Sequence, residues 1–526
     1  MTYSNLRERI ELVLNLRNGY ATPEIVLPFA VFLILSMEIA GAASICADDD
    51  NLTGVELGTR LYPFSTLQGA IDHASSGDSI LTAAGQYPEN VVIQNSSLLL
   101  LGGYMGGTAG SYAGGAGGNF TYRDPDLYVS LVSAADTTEA SVRVVNTIDP
   151  PAVSGTIIDG FTIRAGYHGI ELDDDMSWPP VDGITISHNT LENNGVEDGS
   201  PGFYEHLGGG IHVSGTNITI SVNQIRNNTA GRGGGIGGDA SYLLVEGNII
   251  EYNIAYGDHG GGVAISGLTV ISSNTIQYNE VGRGASIGYG WGGGLLILGT
   301  AECSYNIIRG NLSPSPGGGV FVDEGAHASF IHELIYDNHT EVEWASGGAA
   351  VYVDGGMQYI NGEWVDVGST LELLNCTVAH NTSSGTNGGN SLYVEGRSRA
   401  DALNCIFWGN GDDFYLANTS TDTISVSYCI TGESIPGPGN LQNDPYFADI
   451  PGDDYHVKSV VGRWDPSSAG GTGSWITDGE HSPAIDAGDP EAIHDQETIP
   501  HGFRVNCGTY GNTPEASRSC YKYILE

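Results

Sequence analysis

Between Ile184 and Thr431 the chain repeats one arrangement of apolar and polar positions. Each row holds an apolar-x-apolar pair, two further residues, Asn-x-Ile-x-x-Asn, a connection, and then Gly-Gly-Gly-apolar. The central position is Asn189, Asn223, Asn248, Asn274, Asn306, Glu333, Cys376, Cys405 and Cys429 in successive rows. Two residues on stand Leu191, Ile225, Ile250, Ile276, Ile308, Ile335, Val378, Phe407 and Thr431. Five residues on, an asparagine column runs unbroken through Asn194, Asn228, Asn253, Asn279, Asn311, Asn338, Asn381 and Asn410. Three residues before the centre, Ile186, Ile220, Val245, Ile271, Cys303, Phe330, Leu373, Ala402 and Val426 form another apolar column. Row spacing varies from 24 to 43 residues. Such self-similarity predicts a stacked repeat array.

The phase within a row predicts its shape. Positions −5 and −3 alternate as a strand with one buried face, and positions 0 and +2 alternate one residue out of step with them. A slip of one between two runs of period 2 places a bend between two short strands. The glycine segment opens a third strand, as in Gly210-Ile211-His212-Val213 and Gly319-Val320-Phe321-Val322. Three short strands per row make one coil of a parallel β-helix. Equivalent residues then stack at ~4.8 Å, so a column of asparagines can form an amide ladder. Gly160-Phe161-Thr162-Ile163 adds an earlier row, giving about ten coils on the order of 50 Å long.

Ahead of the array, Leu61–Gly77 predicts a short amphipathic helix. Ser65 or Thr66 caps it, Leu67, Ala70, Ile71 and Ala74 line one face, and Gly77 stops it. Within 60–77 it would close the open end of the solenoid, which otherwise exposes unpaired strand edges. Strands are expected over 78–87, 91–104, 129–132 and 142–145. Residues 1–43 read as a signal peptide with a long polar start, an apolar run from Ile25 to Leu35, and the small residues Gly41-Ala42-Ala43. An uncleaved membrane anchor is the competing reading, and Cys46 invites a lipidated one, although Ile45 stands where a small residue is needed. The domain reading is 1–43 signal peptide, 44–440 β-helix with its cap, and 441–526 an irregular C-terminal capping module.

Composition narrows the partners. With 18 basic and 62 acidic residues the formal charge is −44, which argues against nucleic acid and anionic membrane surfaces. A strongly anionic polymer would need calcium as a bridge. Glycine, at 78, is about twice average use.

Several motifs resemble a family. Ser65-Thr-Leu-Gln-Gly-Ala-Ile, Gly77-Asp-Ser-Ile, Gly85-Gln-Tyr, Asp159-Gly-Phe-Thr-Ile and the Asn-x-Ile-x-x-Asn rows are similar to secreted right-handed β-helix proteins of the pectate-lyase-like superfamily, in the style of polymorphic outer-membrane-protein repeats. Asp444-Pro-Tyr-Phe, Ser482-Pro-Ala-Ile-Asp-Ala-Gly-Asp-Pro and Gly508-Thr-Tyr-Gly-Asn-Thr resemble the C-terminal module of choice-of-anchor proteins. The resemblance implies an all-β, right-handed parallel β-helix and a secreted or cell-surface location. It leaves activity open, because this fold carries lyases, hydrolases, adhesins and tailspikes.

Candidate chemistry lies in the connections between the outer asparagine and the glycines, which stacking places along one edge. Tyr204, His206, Arg232, His259, Tyr289 and Trp291 are the candidate binding residues, since rings suit sugar faces and polar groups fix hydroxyls. Glu205, Arg232, Asp258 and His259 are the candidates for acid–base work, glycosidic hydrolysis needing paired carboxylates. Solvated, variable loops explain the same residues without a ligand. Lyases of the family use a Lys or Arg base, yet the only lysines are Lys458 and Lys522, both outside the array. Asp258-His259-Gly260 is the single echo of a hydrolase motif. Asp173, Asp174 and Asp175 are the candidate calcium ligands. The cysteines at the bends read as buried thiols, and Cys507 with Cys520 as a possible disulfide. The expectation is an exported, non-catalytic protein binding extracellular polysaccharide or a cell-surface component. A polysaccharide lyase or glycoside hydrolase working at the same edge is the alternative.

Overall fold

The computed structural model describes residues 42–148, 152–173, 180–195, 206–256, 259–282, 290–323, 325–341, 347–360, 362–385 and 388–520. Ile45–Glu526 forms one compact unit, distinct from Met1–Ser44. The proposed signal peptide therefore falls almost wholly outside the described residues. Among the described residues no helix is long and apolar enough to cross a membrane.

The central strands of the rows form a twelve-stranded sheet, every pair parallel and in register. Its inward column runs Tyr87, Val132, Ile163, Leu191, Ile225, Ile250, Ile276, Ile308, Ile335, Val378, Phe407 and Thr431, none more than 1% exposed. The stacking of Ile225, Ile250 and Ile276 is thus as the row pattern requires. Gly85–Tyr87 and Ser130–Ser133 extend the ten registered rows by two. The −5/−3 strands and the glycine-led strands supply the other two faces. They belong to one 23-stranded sheet, because Ile236–Glu246 and Val263–Ser272 each run unbroken from one face to the next. Six two-residue strands, from Thr229–Ala230 to Thr382–Ser383, follow the outer asparagines.

Two columns of left-handed residues make the bends. His188, Val222, Gly247, Ser273, Tyr305, His332, Asn375, Asn404 and Tyr428 precede the central position with φ between 50 and 66°. Ala165, Asn193, Asn227, Tyr252, Tyr278, Gly310, Asp337, His380 and Gly409 precede the outer one with φ between 54 and 75°. One such residue inverts the alternation, which is the physical source of the phase slip. Each costs a non-glycine residue ~1–2 kcal/mol. An isoleucine buried in the adjoining column returns ~1.5–3 kcal/mol, so the bend is sustained by the core beside it.

The asparagine after each bend restores the interrupted hydrogen bonding. Asn253 shows the pattern: Nδ2 donates to Ile225 O at 2.8 Å and to Asn279 Oδ1 at 3.0 Å. Its Oδ1 accepts from the Asn228 backbone N–H and from Asn228 Nδ2, both at 3.0 Å. The outer ladder repeats this from Asn194 to Asn410. The central ladder runs from Asn189 to Asn306 and ends on the carboxyl of Glu333. Thiols then take over, with Cys405 Sγ accepting from Cys376 N–H at 3.4 Å and Cys429 Sγ from Cys405 N–H at 3.2 Å. Asn440 resumes the column, its Oδ1 accepting from Cys429 N–H at 3.1 Å.

At the N-terminal end Leu67–His73 is helical. Thr66 caps it by accepting from Gly69 N–H, and Glu89 accepts from the Leu67 and Gln68 N–H groups at 2.7 and 2.9 Å. Leu67, Ala70 and Ile71 face the core. At the other end Leu441 pairs with Ile430, adding one more step. The chain then turns back along the flank. Phe447, Tyr455, Val457, Ile485 and Cys507 pack on the outward side chains Leu334, Tyr336, Ala379, Ile406 and Ile430 of the central sheet. The left-handed bends are bound there too: Thr509 O and Oγ1 meet His332 Nδ1 and O, and Asn375 Nδ2 donates to Asn506 O at 3.0 Å.

The cysteines at the bends are buried thiols, as expected, and the open question of a Cys507–Cys520 disulfide is answered by two free thiols. All seven thiols are free, six of them buried, and Cys520 alone is exposed. Cys507 donates to Tyr428 O at 3.1 Å instead of bridging to Cys520, because the C-terminal module draws it onto the last bend. Burial raises the Cys46 thiol to about 11 and pushes Cys507 well up. A thiol reagent is expected to label one cysteine rapidly in the native protein and all seven after unfolding. A native mass two hydrogens short, or rapid labelling of several sites, would contradict this arrangement.

Candidate functional site

The predicted edge is assembled by backbone pairing of successive coils. Gly208 N–H donates to Arg232 O at 3.0 Å, Gly233 N–H to His259 O at 3.1 Å, and Gly260 N–H to Trp291 O at 2.9 Å. Arg232, His259 and Trp291 therefore stand on three consecutive coils, as their position before the glycines implies. All three are half-buried. The His259 ring lies 4.5 Å from that of Trp291, and His259 Nδ1 accepts from the Trp291 backbone N–H at 3.2 Å. Trp291 stacks in turn on Phe321, with centroids 5.7 Å apart and planes at 16°.

Phe321 opens an aromatic stripe that the sequence reading did not single out. Phe321, Tyr352, Tyr393 and Tyr415 are register partners on the outward side of the glycine-led strands. Their rings stack at 5.4, 4.8 and 4.7 Å. Phe321, Tyr352 and Tyr393 are at most 4% exposed. The signal was present in the sequence as the residue after each buried apolar one, but outward positions there read as solvent-facing.

Tyr204, Glu205, Asp258 and Tyr289 lie outside the described residues, as do Asp174 and Asp175. Asp173 ends the strand Ile170–Asp173 opposite Val145. His206 is 2% exposed, buried instead of open on the edge. Its Nε2 hydrogen-bonds Tyr167 O at 2.8 Å, and its ring packs 4.3 Å from Tyr167 and 4.4 Å from His168.

His206 belongs to a second constellation. Glu171 and His212 are register partners on adjacent coils. His168, in the turn entering the strand that carries Glu171, stacks 5.0 Å from His212. One ligand-capable atom from each of His168, Glu171 and His212 lies within 4.8 Å of the others. His168 Nδ1 is 2.9 Å from Gly208 O. Arg143 Nε is 3.4 Å from the Glu171 carboxylate. Burial, helped by the neighbouring imidazoles, lowers His168 well below the ordinary histidine range. Burial lowers His206 to about 4. Both rings are neutral at pH 7. Sequence reading passed over these residues because no short motif joins them, and register alone brings them together.

Comparison with known proteins agrees with the architecture. Residues 152–356 match the family model described as a right handed beta helix region, and residues 378–488 match that of disaggregatase related proteins. A cell surface glycoprotein of Methanothermus fervidus is 24% identical over 334 residues, covering 59% of this chain and 46% of its own length. The chain thus spans about half the length of that curated relative. Among solved structures, pectate lyase Pel9A gives a TM-score of 0.42 at 11% identity, over 92% of this chain and 98% of that one. An alginate lyase from Paenibacillus sp. str. FPU-7 gives 0.31 at 12%, over 71% and 97%. The match of residues 152–356 and the parallel sheets in continuous register agree on one architecture, a right-handed parallel β-helix.

Proposed function

We propose that this chain is an exported, non-catalytic β-helix protein of the cell surface. It binds extracellular polysaccharide, or another surface component, through the edge carrying Arg232, His259 and Trp291. The observation that carries the reading is the alignment of these three side chains on consecutive coils, each half-buried. A cation, an imidazole and an indole at one-coil spacing suit an extended chain of sugars, with the indole supplying an apolar face and the others bonding hydroxyls. The likeness to a cell surface glycoprotein supports the location. Against catalysis at this edge, the His259 imidazole is engaged by the Trp291 backbone and ring. Neither lysine lies in the array: Lys458 pairs with Glu480 in the C-terminal module, and Lys522 follows it.

Affinity electrophoresis against neutral and acidic polysaccharides tests the reading. Retention by at least one is expected, and Trp291→Ala should abolish it. Because Trp291 packs on Phe321, the same variant should lower the thermal midpoint modestly. Trp291→Phe, which keeps a ring on Phe321, should restore the midpoint and weaken retention less. Lost stability with unaltered retention would assign Trp291 to packing. Unsaturated or reducing-end products at enzyme-like rates would replace the binding reading with a catalytic one.

A further inference from the structure

We infer that His168, Glu171 and His212 form a binding site for a divalent transition metal, with zinc the fitting ion, and that the metal clips two coils together. The argument starts from the donors. Two imidazoles and one carboxylate suit zinc and its first-row neighbours, whereas calcium and magnesium take oxygen ligands almost exclusively. One donor atom of each residue already lies within 4.8 Å of the other two, the spacing of groups that converge on one ion after small rotamer adjustments. Register fixes two of them, since Glu171 and His212 face outward as partners on adjacent parallel strands.

The surroundings orient the rings as a metal site requires. His168 Nδ1 faces the Gly208 carbonyl at 2.9 Å and donates to it, which leaves Nε2 as the ligand atom. Metal-bound histidines commonly direct their second nitrogen to a backbone carbonyl in this way. His206 stacks on His168 at 4.4 Å and holds its plane. His206 Nδ1 is itself buried without a hydrogen-bond partner among the described residues, so polar capacity beside the cluster is unspent. Arg143 approaches Glu171 from the preceding coil and would share the carboxylate, one oxygen to each cation. Three protein donors leave a fourth position for water.

The location gives the site a purpose. Glu171 and His212 lie on neighbouring coils but 41 residues apart in the chain. Clipping such a long connection removes more freedom from the unfolded chain than clipping a short one. Stabilisation by metal is the expected readout, independent of any glycan binding.

The chain should be stripped with chelator, dialysed, and titrated with zinc chloride by calorimetry. One zinc per chain with a Kd below about 1 μM is expected, together with a rise in thermal midpoint. His212→Ala and Glu171→Gln should each weaken binding at least ~30-fold and remove the rise, while His481→Ala, exposed in the C-terminal module, should change neither. Cobalt(II) in place of zinc should give visible ligand-field bands that His212→Ala abolishes. Circular dichroism of the metal-free variants confirms that they fold. Absence of stoichiometric binding in the unmodified chain overturns the inference. So does binding that survives both variants, or displacement of zinc by excess calcium.

Discussion

Replacing Asn279 by leucine should lower the unfolding free energy by about 3–6 kcal/mol, among the largest effects available to one substitution. The side chain is fully buried. Its loss strands three groups: the backbone N–H of Asn253 and its Nδ2, which both give hydrogens to Asn279 Oδ1, and the Ile250 carbonyl, which accepts from Asn279 Nδ2. Each buried group left unsatisfied costs ~1–3 kcal/mol, and leucine cannot answer any of them. Asn279→Asp should recover part of the loss, since its oxygens still accept from Asn253 while the bond to Ile250 is gone. Urea denaturation provides the check. A midpoint unchanged in Asn279→Leu would mean the column is decorative and the bends stand on the apolar core alone.

The second large effect concerns pH. Glu333 occupies the ladder position that asparagine fills in earlier coils, fully buried, with Oε1 accepting from Asn306 N–H and Nδ2. Its other oxygen has no hydrogen-bond partner among the described residues. Burial raises the carboxyl well above its ordinary value of 4.5. The folded chain therefore keeps a proton that the unfolded chain releases. The stability so contributed is complete below about pH 4.5 and falls as pH rises, by ~1.4 kcal/mol per unit, until the folded group ionises. Glu497, raised by burial to about 7, acts with the same sign between about 4.5 and 7. Glu333→Gln should leave the midpoint nearly unchanged at pH 4 and raise it at pH 7.5, with a residual slope to which Glu497 and Asp354, both raised by burial to about 7, contribute. Parallel pH profiles for the two proteins would refute the assignment.

What could be read in advance was whatever repeats. The −3, 0, +2 and +5 columns are enforced at every coil by a shared core and by bends that tolerate few alternatives, so Ile225 over Ile250 over Ile276 was visible without coordinates. The helix at Leu67–His73 was visible for a local reason, its cap and apolar face lying within eight residues. The two earliest coils were legible as strands but not as registered rows, because Tyr87 and Val132 carry no asparagine partners. Asn440 escaped because Leu441 follows it directly, where earlier rows place their isoleucine two residues on. The His168–Glu171–His212 cluster and the Phe321–Tyr415 stripe depend on which outward residues become neighbours, and connections of unequal length hide that. His206 was placed on the edge by its distance from the glycines, yet Tyr167 and His168 draw it inward. The flank docking of residues 447–507 has no periodic signature at all.

The two asparagine ladders also have a direction. Each Nδ2 sends one hydrogen to the amide oxygen of the next, C-terminal coil and the other back to a backbone carbonyl of the preceding coil, so the amide-to-amide bonds all run one way along the axis and each polarises the next. Such a series needs a final acceptor, and each ladder has a carboxyl there: Glu333 closes the central one, and Asp413 Oδ1 receives Asn410 Nδ2 at 3.0 Å at the end of the outer one. Asp413 is itself 1% exposed and also accepts from Ser391 Oγ and the Gly432 N–H. The solenoid is thus a polar filament with an acid at its donor terminus, by analogy with acids at helix N-termini. A coil inserted beyond Asn410 would have to move that acid along with it, whereas a coil inserted between Asn253 and Asn279 would need only another asparagine. Duplication inside the outer ladder therefore needs fewer compensating changes than duplication at its end.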